Sequence, residues 1–257
     1  MFDTHAHLNF KDFDRDREEV IKNLIAKKFF VINVGTGIKE SQEVLDIADN
    51  YDSRVYASVG LHPLYVKEDF NYKEYKALAQ NKKVVAIGET GLDYQNLSTN
   101  KDKAGERKAL QKKVLLSQIE LACELNLPLI IHCRKAHKDL IEILKAEKKQ
   151  RRNLRGVIHC FTGTLKEAKD YIDLDFFLGI NGIIFKFNMK EVLLKTSLSK
   201  IVLETDCPFL SPKKEILRNE PLFLDDIAQE IAVIKNTNKE DVVNITTENA
   251  LRLFEIK

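Results

Sequence analysis

Short apolar segments rich in β-branched residues recur along the chain, and longer amphipathic segments separate them. Apolar runs of this length that end in polar or turn-forming residues are typical of buried strands. We therefore predict eight strands. They cover residues 1–6, 29–36, 54–60, 83–89, 127–133, 155–160, 175–181 and 200–206.

Between the strands, apolar residues repeat at helical spacing. In 106–125, Leu110, Val114, Leu121 and Leu125 lie on one face. The same reasoning predicts helices over 16–28, 39–50, 106–125, 136–149, 165–172, 189–196 and 223–235, and a short pair at the end of the chain.

Alternating strands and helices favour a parallel sheet with right-handed crossovers. Eight such units predict a (β/α)8 TIM barrel, with residues 1–257 as a single domain. A doubly wound open sheet is the rival fold. Its usual strand count is lower, and no glycine-rich phosphate loop follows the first strand.

Composition limits the size of the domain, its general charge and its expected compartment, but it does not decide the function. The 257 residues suit one barrel, and the hydrophobic fraction of 44% can fill a large core. A net charge of +2 gives no overall attraction to polyanions, so any such site must be local. No export signal and no run of about 20 apolar residues is present. Four cysteines lack a C-x-x-C pair, and we expect free thiols in a reducing cytoplasm.

Polar side chains fall where a barrel places its active site, at the carboxyl ends of strands. His5 and His7 are two residues apart and so share one face of strand 1. A lone histidine is more often a core residue than a ligand, but six converging side chains favour a metal site. The six are His5, His7, Glu89, His132, His159 and Asp206.

Imidazoles and carboxylates together bind divalent first-row metals, Zn²⁺ included. A carboxylate such as Glu89 can bridge two ions, which would clamp the attacking and leaving oxygens of a displacement. Asp206, after the last strand, is placed to be a ligand, a proton acceptor or both.

Eight motifs run in order through the whole chain and carry a family likeness. They are DTHAHL (3–8), GLHP (60–63), IGETGLDY (87–94), PLIIHCR (128–134), GVIHCFTG (156–163), ETDCP (204–208), RNEP (218–221) and NALRLF (249–254). With them the chain resembles the TatD family of metal-dependent deoxyribonucleases, within the amidohydrolase superfamily. The carboxylated lysine used by other branches of that superfamily has no counterpart beside Glu89.

The resemblance implies two divalent ions per chain, Mg²⁺ or Mn²⁺ in the family. His5, His7 and Asp206 would hold one ion, His132 and His159 the other, and Glu89 would bridge them. His62 would act on the substrate side, so the catalytic set becomes Asp206, Glu89 and His62. The implied reaction is 3′–5′ exonuclease cleavage of single-stranded DNA, in which metal-bound hydroxide attacks phosphorus.

Further residues could contact substrate. Arg134 shares a face with His132 and could hold a phosphate oxygen, or it could be a solvated arginine. Tyr94 and Phe161 could stack on bases, or they could anchor the core. The basic run 145–155 lies towards the opposite end of the barrel and is not expected to touch substrate.

The two segments that follow GLDY and ETDCP depart from the family pattern, and they place substrate choice in doubt. Within the second segment, Lys213, Lys214 and Arg218 could track a nucleic-acid backbone or simply be solvated.

Two other functions remain open at this point. One is a hydrolase of small phosphate esters, amides or lactones at the same metal site. The other is a barrel without catalytic activity that binds a partner, which six metal ligands make less favourable. We expect a DNA substrate, no membrane association, no obligate protein partner and a monomer.

Overall fold

Eight parallel strands form one sheet, ordered β1 to β8, which curls into a nearly closed barrel. The computed structural model describes residues 1–51, 53–67, 70–213 and 215–257. A parallel bridge between Ala6 and Cys207 brings β1 against the segment after β8. The predicted barrel fold is confirmed. The strands are β1 (Phe2–Ala6), β2 (Phe30–Val34), β3 (Val55–Val59), β4 (Val84–Asp93), β5 (Leu129–Arg134), β6 (Gly156–Ile158), β7 (Phe176–Ile180) and β8 (Ile201–Leu203).

The helices pack around the sheet and occupy most of the predicted segments. They are α1 (Arg17–Ala26), α2 (Ile38–Asp49), α3 (Tyr72–Ala79), α4 (Lys101–Glu124), α5 (His137–Gln150), α6 (Leu165–Asp173), α7 (Lys190–Lys195), α8 (Leu224–Lys235) and α9 (Lys239–Leu253). Among the described residues, no helix has both the length and the apolar character that crossing a membrane would require.

Three helices differ from the prediction in more than a residue or two at their ends. Helix α3 was not among the predicted segments. Helix α4 begins five residues early because the Asn100 side chain accepts hydrogen bonds from the backbone amides of Asp102 and Lys103. The predicted final pair is one continuous helix, α9, whose buried residues Val242, Thr246 and Ala250 follow a four-residue spacing.

The prediction ended the fourth strand at Glu89, but β4 continues to Asp93. Gly88 and Gly91 have φ of 156° and 140°. They allow close contact with β5, since a Cβ on Gly91 would lie 1.9 Å from the carbonyl oxygen of His132. The β4–β5 register shifts between Ile87 and Thr90, a bulge that surrounds Glu89.

The barrel interior is filled below its carboxyl end. One buried cluster joins residues of seven strands, among them Phe2, Ile130 and Val202, to the end of α9 at Phe254. Side chains from so many strands can meet only inside the barrel. The buried polar residues His5, Glu89 and His159 lie at the carboxyl end of the barrel, beyond this apolar filling.

Candidate metal centre

All six predicted ligands and His62 meet at the carboxyl end of the barrel. His5, Glu89 and His132 lie within β1, β4 and β5, whereas His7, His62, His159 and Asp206 follow β1, β3, β6 and β8. Glu89 is buried to 3% exposure and lies at the centre of the group. A carboxylate buried this deeply requires positive partners.

The two oxygens of Glu89 face different histidines. Its Oε2 lies 3.4 Å from His5 Nε2 and 3.8 Å from His7 Nε2. Its Oε1 lies 3.0 Å from His132 Nδ1 and 3.8 Å from His159 Nε2. This is the arrangement of a carboxylate that can serve two ions at once.

His5, His7 and Asp206 form the first group of ligand atoms. The Nε2 atoms of the two histidines are 3.1 Å apart, and Asp206 Oδ1 lies 3.7 Å and 3.6 Å from them. Two nitrogens bound to one ion at about 2.1 Å would themselves lie roughly 3.0–3.4 Å apart. The donor set and its spacing fit a divalent cation.

A second group of ligand atoms surrounds Glu89 Oε1 and contains His62 and His132. His62 Nε2 lies 3.3 Å from this oxygen. The backbone amide of Leu64 donates to His62 Nδ1 at 3.1 Å, so Nε2 carries the proton of a neutral ring. His62 therefore presents an N–H donor to the centre of the site.

His159 lies between the two groups. Its Nε2 lies 3.9 Å from Asp206 Oδ1, and its ring stacks on the His5 ring with centroids 3.6 Å apart. It also forms a group of ligand atoms with Cys160 and Asp206. Cys160 lies two residues after β6 and has φ of 45°, so the chain no longer follows strand geometry there.

Outer partners fix the orientation of three histidines. His7 Nδ1 donates to the Val34 carbonyl at 3.0 Å, and His132 Nε2 lies 3.0 Å from Asp93 Oδ2. His159 Nδ1 lies 2.8 Å from Glu204 Oε1, an ion pair whose angle falls short of a hydrogen bond. Each ring is thereby left with its other nitrogen facing the site.

A buried polar layer lies beneath the ligands, and its residues Thr205 and Asn181 were not identified from the sequence. Asp3 accepts from the amide and hydroxyl of Thr205, at 2.9 and 2.5 Å. Asn181 donates to Glu204 Oε1 at 2.9 Å. Asn181 follows β7, so its position at a strand end was the available signal.

The charges of the site depend on one another. Burial alone would raise the pKa of Glu89, but His62 and His5 hold it well below its usual range. Burial alone would lower the pKa of His159, but Glu204 and Asp206 outweigh it and raise that pKa to about 10. In the described part of the chain, neither Glu89 nor Asp206 pairs with a lysine or arginine. A divalent cation would supply the charge that histidine protons otherwise provide.

The two other residues predicted to bind substrate lie near the site. Arg134 is exposed, forms no ion pair among the described residues, and pairs in register with Asp93. Tyr94 donates its hydroxyl to Asp139 at 2.9 Å, and Lys108 covers its ring. These contacts favour Tyr94 as a loop anchor, and its role in substrate binding stays a prediction.

Most other candidates are already engaged. Phe161 is buried against His137 and Tyr171. Arg218 pairs with Asp16 and Glu220 at 2.6 Å. Lys213 pairs with Asp226 at 3.1 Å.

Lys214 lies outside the described residues. The basic run 145–155 ends just before β6, away from the site. Within it, Lys145, Arg151 and Arg155 pair with acidic side chains.

The chain matches the family model described as TatD related DNase over residues 2–255. It is 39% identical over 265 residues to the uncharacterized metal-dependent hydrolase YabD of Bacillus subtilis (strain 168), covering 100% of this chain and 99% of that protein. It is 32% identical over 268 residues to the 3′-5′ ssDNA/RNA exonuclease TatD of Erwinia tasmaniensis, covering 100% of each. The crystal structure of YjjV, a TatD homolog from Escherichia coli K12, has a TM-score of 0.87 at 26% identity, covering 100% of this chain and 98% of that one.

A parallel barrel whose carboxyl end gathers imidazoles around a buried carboxylate defines the class of metal-dependent barrel hydrolases. The family match then narrows the class, because it spans nearly the whole chain. The chain belongs to the TatD family of DNases and is a metal-dependent hydrolase. The predicted resemblance and the predicted enzyme class are confirmed.

Proposed function

We propose that this protein is an exonuclease that removes nucleotides from the 3′ end of single-stranded DNA, with two divalent ions at the site. The observation that carries the proposal is the orientation of the Glu89 carboxylate. Its Oε2 faces His5 and His7, and its Oε1 faces His132. The relative described as a 3′-5′ ssDNA/RNA exonuclease supports the substrate and the polarity.

The ligands divide between the two sides of Glu89. His5, His7 and Asp206 would hold one ion, and His132 and His159 the other. When bound, Mg²⁺ or Mn²⁺ would acidify water and neutralise charge on the phosphoryl oxygens, and Zn²⁺ also suits these donors.

Asp206 is the proton acceptor in this proposal. Its side chain is 14% exposed whereas that of Glu89 is 4% exposed, so Asp206 is the more accessible carboxylate. Its backbone amide donates to the His5 carbonyl at 2.8 Å, which fixes the loop after β8 against the metal-ligand strand β1.

The proposed reaction breaks one P–O bond, and the remaining groups of the site position the phosphate. Water adds to phosphorus and gives a proton to Asp206, and the bond to the 3′ oxygen of the preceding nucleotide breaks. That oxygen takes up a proton and the terminal nucleotide leaves. The His62 Nε2–H and the exposed Arg134 guanidinium would hold phosphoryl oxygens as charge builds on them.

A nuclease assay with metal-depleted protein tests the proposal. Single-stranded DNA labelled at its 5′ end is incubated with Mg²⁺, Mn²⁺ or Zn²⁺ added separately. We expect a ladder that shortens from the 3′ end with at least one metal. Asp206→Asn and Glu89→Gln should lose at least 100-fold in rate, in line with removal of an acid–base or metal-holding group.

Glu191→Gln is the matched control, because Glu191 is an exposed carboxylate on α7 and its replacement should leave the rate unchanged. Intact DNA with every metal, from protein shown to carry its ions, would overturn the nuclease proposal. Hydrolysis of small phosphate esters, amides or lactones by that same protein would then identify the alternative function.

A further inference from the structure

Two groups of aromatic rings lie directly against histidines of the site. Phe10 stacks on His7 with centroids 4.7 Å apart, and Phe209 meets both rings edge-on, 6.4 Å from His7 and 5.9 Å from Phe10. The ring centroid of Tyr65 lies 5.7 Å from that of His62. We call Phe10, Phe209 and Tyr65 the aromatic rim.

The rim is open to solvent although it touches buried residues. Phe209 is 52% exposed and Tyr65 is 55% exposed. Scattered exposed apolar residues are normal on a protein surface. These two differ from the equally exposed Phe187, because each contacts a histidine of the site and Phe187 has no such ring contact in the described part of the chain.

Two arginines hold the loops that carry Phe10 and Tyr65. Arg17 donates to the carbonyls of Leu8, Asn9 and Phe10. Arg107, from α4, donates to the carbonyls of Pro63, Leu64 and Val66, on both sides of Tyr65. Loops fixed in this way present their rings without the entropy cost of ordering them on binding.

A cleft of about 620 Å³ borders Phe209. Lys186 and Lys213 line it together with Asp12, Ile216 and Leu217, and Lys213 is paired with Asp226. Lys186 is exposed and forms no ion pair among the described residues. Aromatic rings beside the ammonium group of Lys186 fit a flexible chain of bases and phosphates.

We infer that the aromatic rim stacks on the bases of the terminal nucleotides and thereby selects single-stranded ends that carry bases. The inference rests on the proposed nuclease function and names what that site reads besides phosphate. Stacking tolerates every base, so the rim would select unpaired ends without selecting a sequence. Phe161 is buried and the Tyr94 hydroxyl is bonded to Asp139, so neither belongs to the aromatic rim.

The test compares two 5′-labelled oligonucleotides that differ only at the 3′ end. One carries ordinary nucleotides, and in the other the last two nucleotides are abasic spacers. The wild-type protein should cleave the first with the higher kcat/KM. Phe209→Ala and Tyr65→Ala should each lose roughly 5- to 100-fold in kcat/KM on that substrate. The loss should lie in KM, because stacking holds ground state and transition state alike.

The same variants should match the wild type on the abasic substrate, where nothing is left to stack. Phe209→Tyr keeps the ring and should restore the preference. Phe187→Ala is the matched control and should behave as the wild type on both substrates. Thermal unfolding of each variant confirms that the fold is kept.

Failure of the inference is distinct from failure of the proposed function. Equal cleavage of both substrates by the wild type, or an equal loss on both substrates in Phe209→Ala, overturns the aromatic rim while the nuclease stands. No cleavage of either substrate by metal-loaded wild-type protein overturns both.

Discussion

At the scale of single residues, the histidine rings of the site are oriented by groups outside the proposed ligand set. Val34, Asp93 and Glu204 each contact the outward nitrogen of one histidine. Such partners fix the ring and raise its basicity as a ligand. The geometry of the site therefore depends on residues that contact the histidines from the side facing away from the ions.

Asp93→Asn tests this dependence. The change removes the charge that faces His132 Nε2 but keeps the size of the side chain. We expect the affinity for the ion beside His132 to fall roughly 10- to 100-fold. Calorimetric titration of metal-depleted protein with Mn²⁺ would measure the loss.

Asp46→Asn provides the control, because Asp46 is an exposed residue of α2 whose carboxylate accepts from Gln42. It should bind Mn²⁺ as the wild type does. An unchanged affinity in Asp93→Asn would show that the contact with His132 is structural only.

At the scale of elements, β4 determines where Glu89 lies. The strand contains a bulge, and glycines on both sides of it allow β5 to approach closely. The side chain of Glu89 thereby enters the centre of the barrel instead of ending a strand. Small residues are required there for packing, independently of any chemistry.

Two glycine substitutions test different effects: the first tests the close packing of β4 on β5, and the second tests helix propensity. Gly91→Ala would add a Cβ 1.9 Å from the His132 carbonyl oxygen, at a φ of 140°. We expect a loss of about 3 kcal/mol or more, or failure to fold, because strain and clash add. Gly105→Ala lies at an exposed position of α4 with nothing within 4 Å, and it should gain about 0.5–1 kcal/mol.

Urea unfolding monitored by circular dichroism would measure both changes. A tolerated Gly91→Ala, with stability equal to the wild type, would contradict the close approach of β4 to β5. A destabilised Gly105→Ala would contradict the open surroundings of α4 at that position.

At the scale of the whole molecule, the barrel carries an apolar interior below a strongly polar mouth. Acidic and imidazole groups are concentrated there without lysine or arginine partners among the described residues. A cation that binds only the folded state must therefore stabilise the entire barrel.

Removal of divalent ions should lower the unfolding temperature. At a free ion concentration 100 times Kd, binding contributes about 2.7 kcal/mol. In a chain of this size that corresponds to roughly 5–10 °C. Scanning calorimetry with a chelator, followed by return of Mn²⁺, would measure the shift and its reversal.

The Glu89→Gln variant should respond less to the chelator, because its central carboxylate is gone. If wild-type protein melted at the same temperature with chelator and with saturating Mn²⁺, the site would not bind ions tightly enough for this linkage. The control is Asp46→Asn, which should shift as the wild type does.

The barrel and the ligand candidates were predictable because both depend on local periodicity. Eight apolar runs mark the strands, and polar residues at their ends mark the mouth. His5 and His7 needed only the two-residue repeat of a strand to be placed on one side. The helix boundaries at Asn100 and in α9 were less well predicted, because capping and burial decide them.

What the sequence alone determined is therefore the architecture and the set of residues at its mouth. Only the tertiary structure decided that Glu89 lies inside a bulge, that Asn181 contacts Glu204, and that Arg17 and Arg107 hold the loops of the aromatic rim. These contacts join residues that are distant along the chain, at angles set by barrel curvature and by backbone conformations such as the positive φ of Asp206. No spacing in the sequence encodes such distances, because they arise only when the eight strands close around one core.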